Sequence, residues 1–291
     1  MSRVYCSDAA RLRGDDNIAT AARVDVWILV ELPITWGVEP IVDAAIPDPV
    51  RAALKHASST IHRSRVVFIR KRVECVGPTR VYIVRTNAGI TTLDLPSLDD
   101  VATVDFIALA ERVEPSTRPL VLVCTHGQHD SCCGRRGYPL YDALRQREEL
   151  DVWQCSHIGG DRFAANAVIL PWGIYYGPVE PRDAGALADT LLREELYLPA
   201  YRGRSSLSRP VQAAETFVRR SLNLLERDAL RLVKRETLVD GRMRVCLRDT
   251  NGATHDVTIE HYLATDGARL TCAAREEAPI RQFRLVDYRV V

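Results

Sequence analysis

The chain has 291 residues, room for two domains or three at about 150 residues each. With 46% hydrophobic and 26% charged residues it has the composition of a globular protein, which excludes a fully disordered chain. Lys plus Arg (39) nearly cancels Asp plus Glu (38), so no bulk charge draws the protein to nucleic acid or to a membrane surface. The longest apolar stretch, Phe163 to Val179, is interrupted by Asn166, Pro171, Gly173, Gly177 and Pro178. A membrane-spanning helix needs about 20 apolar residues, so none is expected. The N-terminal MSRVYCSDAARLRGDD has no apolar core of a secretory signal, and a cytoplasmic location with reduced thiols is the expectation.

In chain order, Val24–Leu32 is a dense apolar run that reads as a buried strand. Asp48–His56 reads as a helix with Pro49 in its first turn. Arg65–Arg70 is a strand, Arg80–Arg85 and Gly89–Leu95 flank a turn, and Asp99–Arg112 is a helix. The order is βαβββα. The next third repeats it: strand Pro119–Cys124, helix Tyr138–Glu149, strand Asp151–Cys155, strands Ala167–Pro171 and Ile174–Pro178, helix Asp183–Glu195. A parallel βαβ unit followed by an antiparallel hairpin and a covering helix is a thioredoxin-like layout. Tyr201–Arg209 reads as a linker and the Arg-rich stretch 202–220 as a solvated helix face. Beyond them, a helix at Pro210–Glu226 and strands at Arg244–Asp249, His255–Glu260, Leu270–Ala274 and Phe283–Val290 form a small α+β appendage. The fold class is therefore α/β: a thioredoxin-like βαβββα unit at 116–205, a degenerate copy at 1–115, and a helix-plus-antiparallel-sheet domain at 206–291.

The cysteines carry the functional signal. Cys124, Cys132, Cys133 and Cys155 cluster within a short stretch together with His126, His129 and His157. Clustered Cys and His without a secretory signal point to metal or redox chemistry. Cys6, Cys75, Cys246 and Cys272 are isolated and read as structural. The segment Cys124–Gly134 follows one buried strand and Cys155–Phe163 another, and loops at the carboxyl ends of parallel strands converge. His126, His129 and Asp130 are expected to order the first loop or line the site mouth, and Trp153 and Trp172 to pack in the core.

Cys-x8-Cys from Cys124 to Cys133, followed by His-x-Gly-Gly-x-Arg-Phe-Ala-x-Asn from His157 to Asn166, resembles the sucrase/ferredoxin-like family, a branch of the thioredoxin-like [2Fe–2S] ferredoxins. The early segment with Thr20-Ala21, Val26–Glu31 and Trp36-Gly37 is similar to its bacterial members. The resemblance implies a single-electron carrier with a [2Fe–2S] cluster and two redox protein partners, a reductase and an acceptor. Family members with a cluster use the two Cys and both His of a His-x-Gly-Gly-His motif. Cys124, Cys133 and His157 match those positions, whereas Asp161 stands where the second His would be. The implied ligand set is Cys124, Cys133, His157 and Asp161, with Cys155 and Cys132 as alternates. Replacing thiolate by imidazole removes negative charge and eases reduction; Rieske centres reach about −150 to +300 mV against about −400 mV for all-thiolate ferredoxins.

Two other readings stay open: a thiol-based redox enzyme using Cys124 or Cys133 with His126 or His129 as its activator, and a cluster-free scaffold. Homo-oligomerisation is likewise open. No carboxylate pair marks a glycosidase, and no Walker A, Gly-x-Gly-x-x-Gly, Gly-x-Ser-x-Gly or His-Glu-x-x-His motif occurs.

Overall fold

The computed structural model describes residues 4–71 and 77–291. Cys75 lies outside the described residues. A helix at Cys6–Arg13 (α1) precedes β1 (Val26–Glu31), the short α2 (Pro40–Asp43), α3 (Asp48–Thr60), β2 (Ser64–Arg70), β3 (Thr79–Arg85), β4 (Gly89–Leu95) and α4 (Phe106–Glu111). The order then recurs as β5 (Leu120–Cys124), α5 (Ser131–Leu144), β6 (Asp151–Cys155), β7 (Ala167–Leu170), β8 (Ile174–Tyr176) and α6 (Ala184–Leu192). β1 pairs parallel with β2 and antiparallel with β3, which pairs with β4. β5 repeats this with β6, β7 and β8. The two half-sheets join where β2 meets β6 antiparallel, Ile69 opposite Cys155, so that one sheet runs β4-β3-β1-β2-β6-β5-β7-β8-β9, with β9 formed by Tyr201–Arg204.

Strand alternation explains why the apolar runs are continuous. Val26, Ile28 and Val30 face α3 and α4, while Trp27 and Leu29 join the opposite face. Likewise Val121 and Val123 face α5 and α6, and Leu122 and Cys124 face the other way. The helix-free faces of the two halves share one core: Trp27 lies 6.1 Å from Tyr175 and Tyr82 lies 5.9 Å from Trp153. Both faces of each central strand are thereby buried, and no polar alternation survives in the sequence.

Several boundaries differ from expectation. The helix expected at Asp99–Arg112 divides into a 3₁₀ turn (Asp99–Thr103) and α4, because Val104 is extended and the Asp105 carboxylate caps a fresh helix at the Ala108 amide. The helix expected from Tyr138 begins at Ser131, where Asp130 caps the Cys132 amide. Tyr201–Arg204 is a buried strand rather than a linker. The stretch 202–220 is no solvated face: Arg202, Arg204 and Arg219 are buried.

α7 (Arg209–Leu222) packs on a second sheet of β10 (Leu230–Thr237), β11 (Met243–Asp249), β12 (Thr254–Leu263) and β13 (Arg281–Val290), through Val211, Val218, Val245, Leu247, Val257 and Ile259. No strand forms at Leu270–Ala274; the Cys272 amide donates to the Asp130 carboxylate at 2.6 Å instead of to a neighbouring strand.

Glu215 of α7 fastens this unit to the large sheet. It accepts from Arg204 Nε (3.1 Å), Arg219 Nε (3.0 Å) and the Tyr201 hydroxyl (2.7 Å), all buried. Burial alone would raise its carboxyl pKa, but Arg204 and Arg219 hold it below the ordinary 4.5. A depressed carboxyl stabilises the fold above its unfolded-state pKa and loses that contribution as pH falls through the folded value. Denaturant titrations across pH 3–6 are thus expected to show stability falling below about pH 4.5, the ordinary carboxyl range. Glu215→Gln is expected to flatten that acid-side slope; an unchanged slope contradicts the assignment.

Candidate functional site

β5 and β6 run parallel with Cys124 opposite Cys155, so the segments that follow them emerge side by side. The first turns into α5 and carries Cys133 back over Cys124. Gly137 allows this approach, since a Cβ there would lie 1.9 Å from the Cys124 carbonyl oxygen. The second makes a tight loop through Gly159 (φ 100°) and Gly160 (φ 90°) and returns Asp161 toward His157.

The donors of Cys124, Cys133 and His157 all lie within 4.8 Å of one another. His157 Nδ1 is 3.1 Å from Asp161 Oδ1, and Cys133 Sγ is 3.2 Å from the same oxygen and 3.9 Å from His157 Nδ1. Cys124, Cys133 and His157 thus form one donor group, and Asp161 borders it through His157 and Cys133. Both thiols are 1% exposed, Asp161 is buried and His157 is partly open.

Burial raises the Asp161 carboxyl pKa. The two thiols contact each other. The hydrogen bond from Cys133 and those from His157 and the His126 amide favour the thiolate at Cys124 and pull its pKa well down. Cys133 retains the shared proton and its pKa moves well up, with burial adding to the effect.

The first half of the chain holds the loops in place. His126 Nε2 donates to the Gly37 carbonyl at 2.6 Å while its Nδ1 accepts the His157 amide at 3.2 Å. That arrangement fixes the tautomer and commits both ring nitrogens. His129 Nδ1 lies 3.2 Å from the Val38 carbonyl. Arg65 of β2 donates to the carbonyls of His157 (2.8 Å) and Ile158 (3.1 Å). Arg202 braces the loop from the other side, donating to Gly159 O (3.1 Å), Asn166 Oδ1 (2.7 Å), Thr20 Oγ1 (3.0 Å) and Thr20 O (2.9 Å). A groove of about 660 Å³ opens beside Gly160 and Asp161, lined also by Phe163, Arg202, Thr271 and Phe283.

The alternates fall outside the group. Cys155 is fully buried behind Cys124, and burial pushes its thiol pKa well up. Cys132 faces away from Cys133 and contacts Cys6 and Cys272, so Cys6 and Cys272 are not isolated. His129, expected only to order the loop, stacks on His157 at 3.9 Å between ring centroids and can join His157 and Asp161 as a donor. The signal for it was present in the His-x-x-His spacing of His126 and His129. Arg202 had no local signal. Trp153 is a core residue and Trp172 is partly buried beneath the Arg227 guanidinium. No helix among the described residues is long and apolar enough to cross a membrane.

A family model described as sucrase/ferredoxin-like matches residues 17–203. Among curated proteins, the chain is 33% identical over 98 residues to altered inheritance of mitochondria protein 32 of Meyerozyma guilliermondii, a match covering 30% of this chain and 35% of that protein. It is 35% identical over 97 residues to the protein of the same name from Debaryomyces hansenii, covering 30% and 36%. The chain therefore matches about a third of the length of these relatives. Among solved structures, a thioredoxin-like [2Fe–2S] ferredoxin from Aquifex aeolicus is similar at 17% identity with a TM-score of 0.28, covering 31% of this chain and 94% of its own.

Proposed function

Because the chain belongs to the sucrase/ferredoxin-like family, we propose that it is an electron-transfer protein whose cofactor is a [2Fe–2S] cluster held by Cys124, Cys133, His157 and Asp161. The observation that carries this reading is the convergence of two buried thiols and an imidazole, with a buried carboxylate in contact with the imidazole and with one of the thiols. The donor chemistry fits the group: thiolates suit ferric iron, and imidazole and carboxylate are accepted iron ligands. Bound there, the cluster supplies reversible one-electron chemistry.

The chain's own residues do the rest. The His126 amide directs its hydrogen toward the Cys124 sulfur. The Gly37 and Val38 carbonyls hold His126 and His129 over the site. Arg202 places a buried positive charge beside the anionic donors. In this reading residues 1–115 support the site, residues 116–205 carry the donors, and the partly open edge of His157 faces a reductase and an acceptor. All seven described cysteines are free, which suits a thiol-reducing compartment.

The geometry disfavours a thiol enzyme, since the His126 nitrogens are both engaged and the thiols are closed to a bulky substrate. Iron and acid-labile sulfide analysis of protein purified without oxygen tests the proposal. About two irons and two sulfides per chain, with thiolate-to-iron bands in the visible spectrum, are expected. Protein that stays colourless and iron-free after attempted cluster reconstitution overturns it.

A further inference from the structure

Cys6, Cys132 and Cys272 come from the N-terminal helix, the start of α5 and the long connection between β12 and β13, yet their sulfurs form a triangle. The sides are 3.6 Å (Cys6–Cys132), 3.3 Å (Cys132–Cys272) and 3.6 Å (Cys272–Cys6). All three are free. Both Asp130 oxygens lie 3.9 Å from the Cys6 sulfur. We infer that this is a second metal site, distinct from the one formed by Cys124, Cys133 and His157, and that it takes a single zinc ion through three thiolates and the Asp130 carboxylate.

The geometry suits one tetrahedral ion. With zinc–sulfur bonds of about 2.3 Å, the sulfurs of one tetrahedron stand about 3.8 Å apart, close to the sides of this triangle. Three sulfurs in mutual contact leave space for one ion and none for a cluster of several. The donor set also discriminates between metals: a carboxylate beside three thiolates suits zinc, whereas copper(I) favours soft donors alone.

The surroundings are those of a built site. Each Asp130 oxygen accepts one amide, from Cys132 at 2.7 Å and Cys272 at 2.6 Å, which fixes the carboxylate and leaves lone pairs for a metal. The Cys132 sulfur accepts from the Ser7 hydroxyl at 3.1 Å and the Ser7 amide at 3.5 Å, and Arg136 Nε in turn holds that hydroxyl at 3.1 Å.

The site also accounts for the connection 264–280, which has little regular structure apart from one bridge, Ala268 to Ala278. A loop of that length in a compact protein usually has a task. Here it delivers Cys272, so that one ion ties the N-terminal helix and the C-terminal sheet to α5.

The test is metal content of the full chain, reduced, stripped with a chelator and reloaded with zinc, with cobalt(II) as the spectroscopic substitute. In the Cys124→Ser/Cys133→Ser chain, whose first site is disabled, about one zinc per chain is expected, and cobalt is expected to give an intense thiolate-to-metal band with tetrahedral d–d absorption. The double variant Cys124→Ser/Cys133→Ser should keep this ion, as should Cys246→Ser, whereas Cys6→Ser and Cys272→Ser should lose it with their circular dichroism unchanged. Should the Cys6 and Cys272 variants unfold, the cobalt spectrum of the Cys124→Ser/Cys133→Ser chain still decides the donor set, since Cys246 is then the one other described thiol besides the buried Cys155. Three outcomes overturn the inference: no zinc uptake by the reduced chain, a cobalt spectrum without thiolate character, or zinc lost on removing Cys124 and Cys133 but retained without Cys272.

Discussion

Replacing Asp161 by His is expected to raise the midpoint potential of the cluster-loaded protein by on the order of 100–300 mV. Asp161 sits where the related His-x-Gly-Gly-His motif has its second histidine, 3.1 Å from His157 Nδ1 and 3.2 Å from Cys133 Sγ. Reduction adds a negative charge to the site. A carboxylate ligand opposes that charge and a neutral imidazole does not, so the exchange favours the reduced form and the potential rises. The magnitude follows from the Rieske comparison, in which two such neutral ligands separate potentials of about −400 mV from about −150 to +300 mV. Redox titration followed by electron paramagnetic resonance makes the measurement. An unchanged potential would mean that Asp161 is not a ligand, and the stacked His129 then becomes the fourth donor. His129→Ala separates the two cases, because it should leave iron content intact if Asp161 ligates and lower it if His129 does.

The core of the site was legible because its geometry follows from local facts. Val26–Val30 and Leu120–Cys124 are continuous apolar runs because both faces of these strands are covered, and that pattern marks parallel strands. Once β5 and β6 are taken as parallel neighbours, the segments that follow them, which lead to Cys133 and His157, must emerge together. The start of α5 was not legible. Gly134, Gly137 and Pro139 look like helix breakers, yet Gly137 is required where the helix meets the Cys124 carbonyl, and Pro139 lies within the helix. A tertiary contact decided what local propensity argued against. The buried arginines failed for a similar reason. Arg is ordinarily exposed, and nothing near Arg204 or Arg219 in a linear reading shows that Glu215 will neutralise both. The Cys6–Cys132–Cys272 group joins residues separated by 126 and 140 positions, beyond the reach of any spacing rule.

Arg202→Ala is expected to lower the stability of the metal-free chain by about 3–4 kcal/mol and to weaken retention of iron in the loaded one. The guanidinium is 1% exposed, and burial pushes its pKa down to about 10. It makes four hydrogen bonds, two of them to backbone carbonyls at Thr20 and Gly159. Truncation leaves those buried acceptors unpaired and opens a cavity, and the two costs add. Lysine should not rescue, since a single ammonium cannot span the Thr20, Gly159 and Asn166 acceptors that the planar fork reaches together. The functional consequence follows from where the bonds go. Gly160 packs so closely on Arg202 that a Cβ there would lie 2.3 Å from the guanidinium, so the arginine sets the path of the loop between His157 and Asp161. With that brace removed the loop is still held by Arg65, His126 and Asn166, but it loses the contact that fixes Gly159 and Gly160, and the separation of His157 from Asp161 loosens. Urea denaturation of the metal-free variant and the rate of iron loss to a chelator from the loaded one give the two readouts. A stability change below about 1 kcal/mol, the scale of one ordinary hydrogen bond, would show that Arg202 does not brace the site.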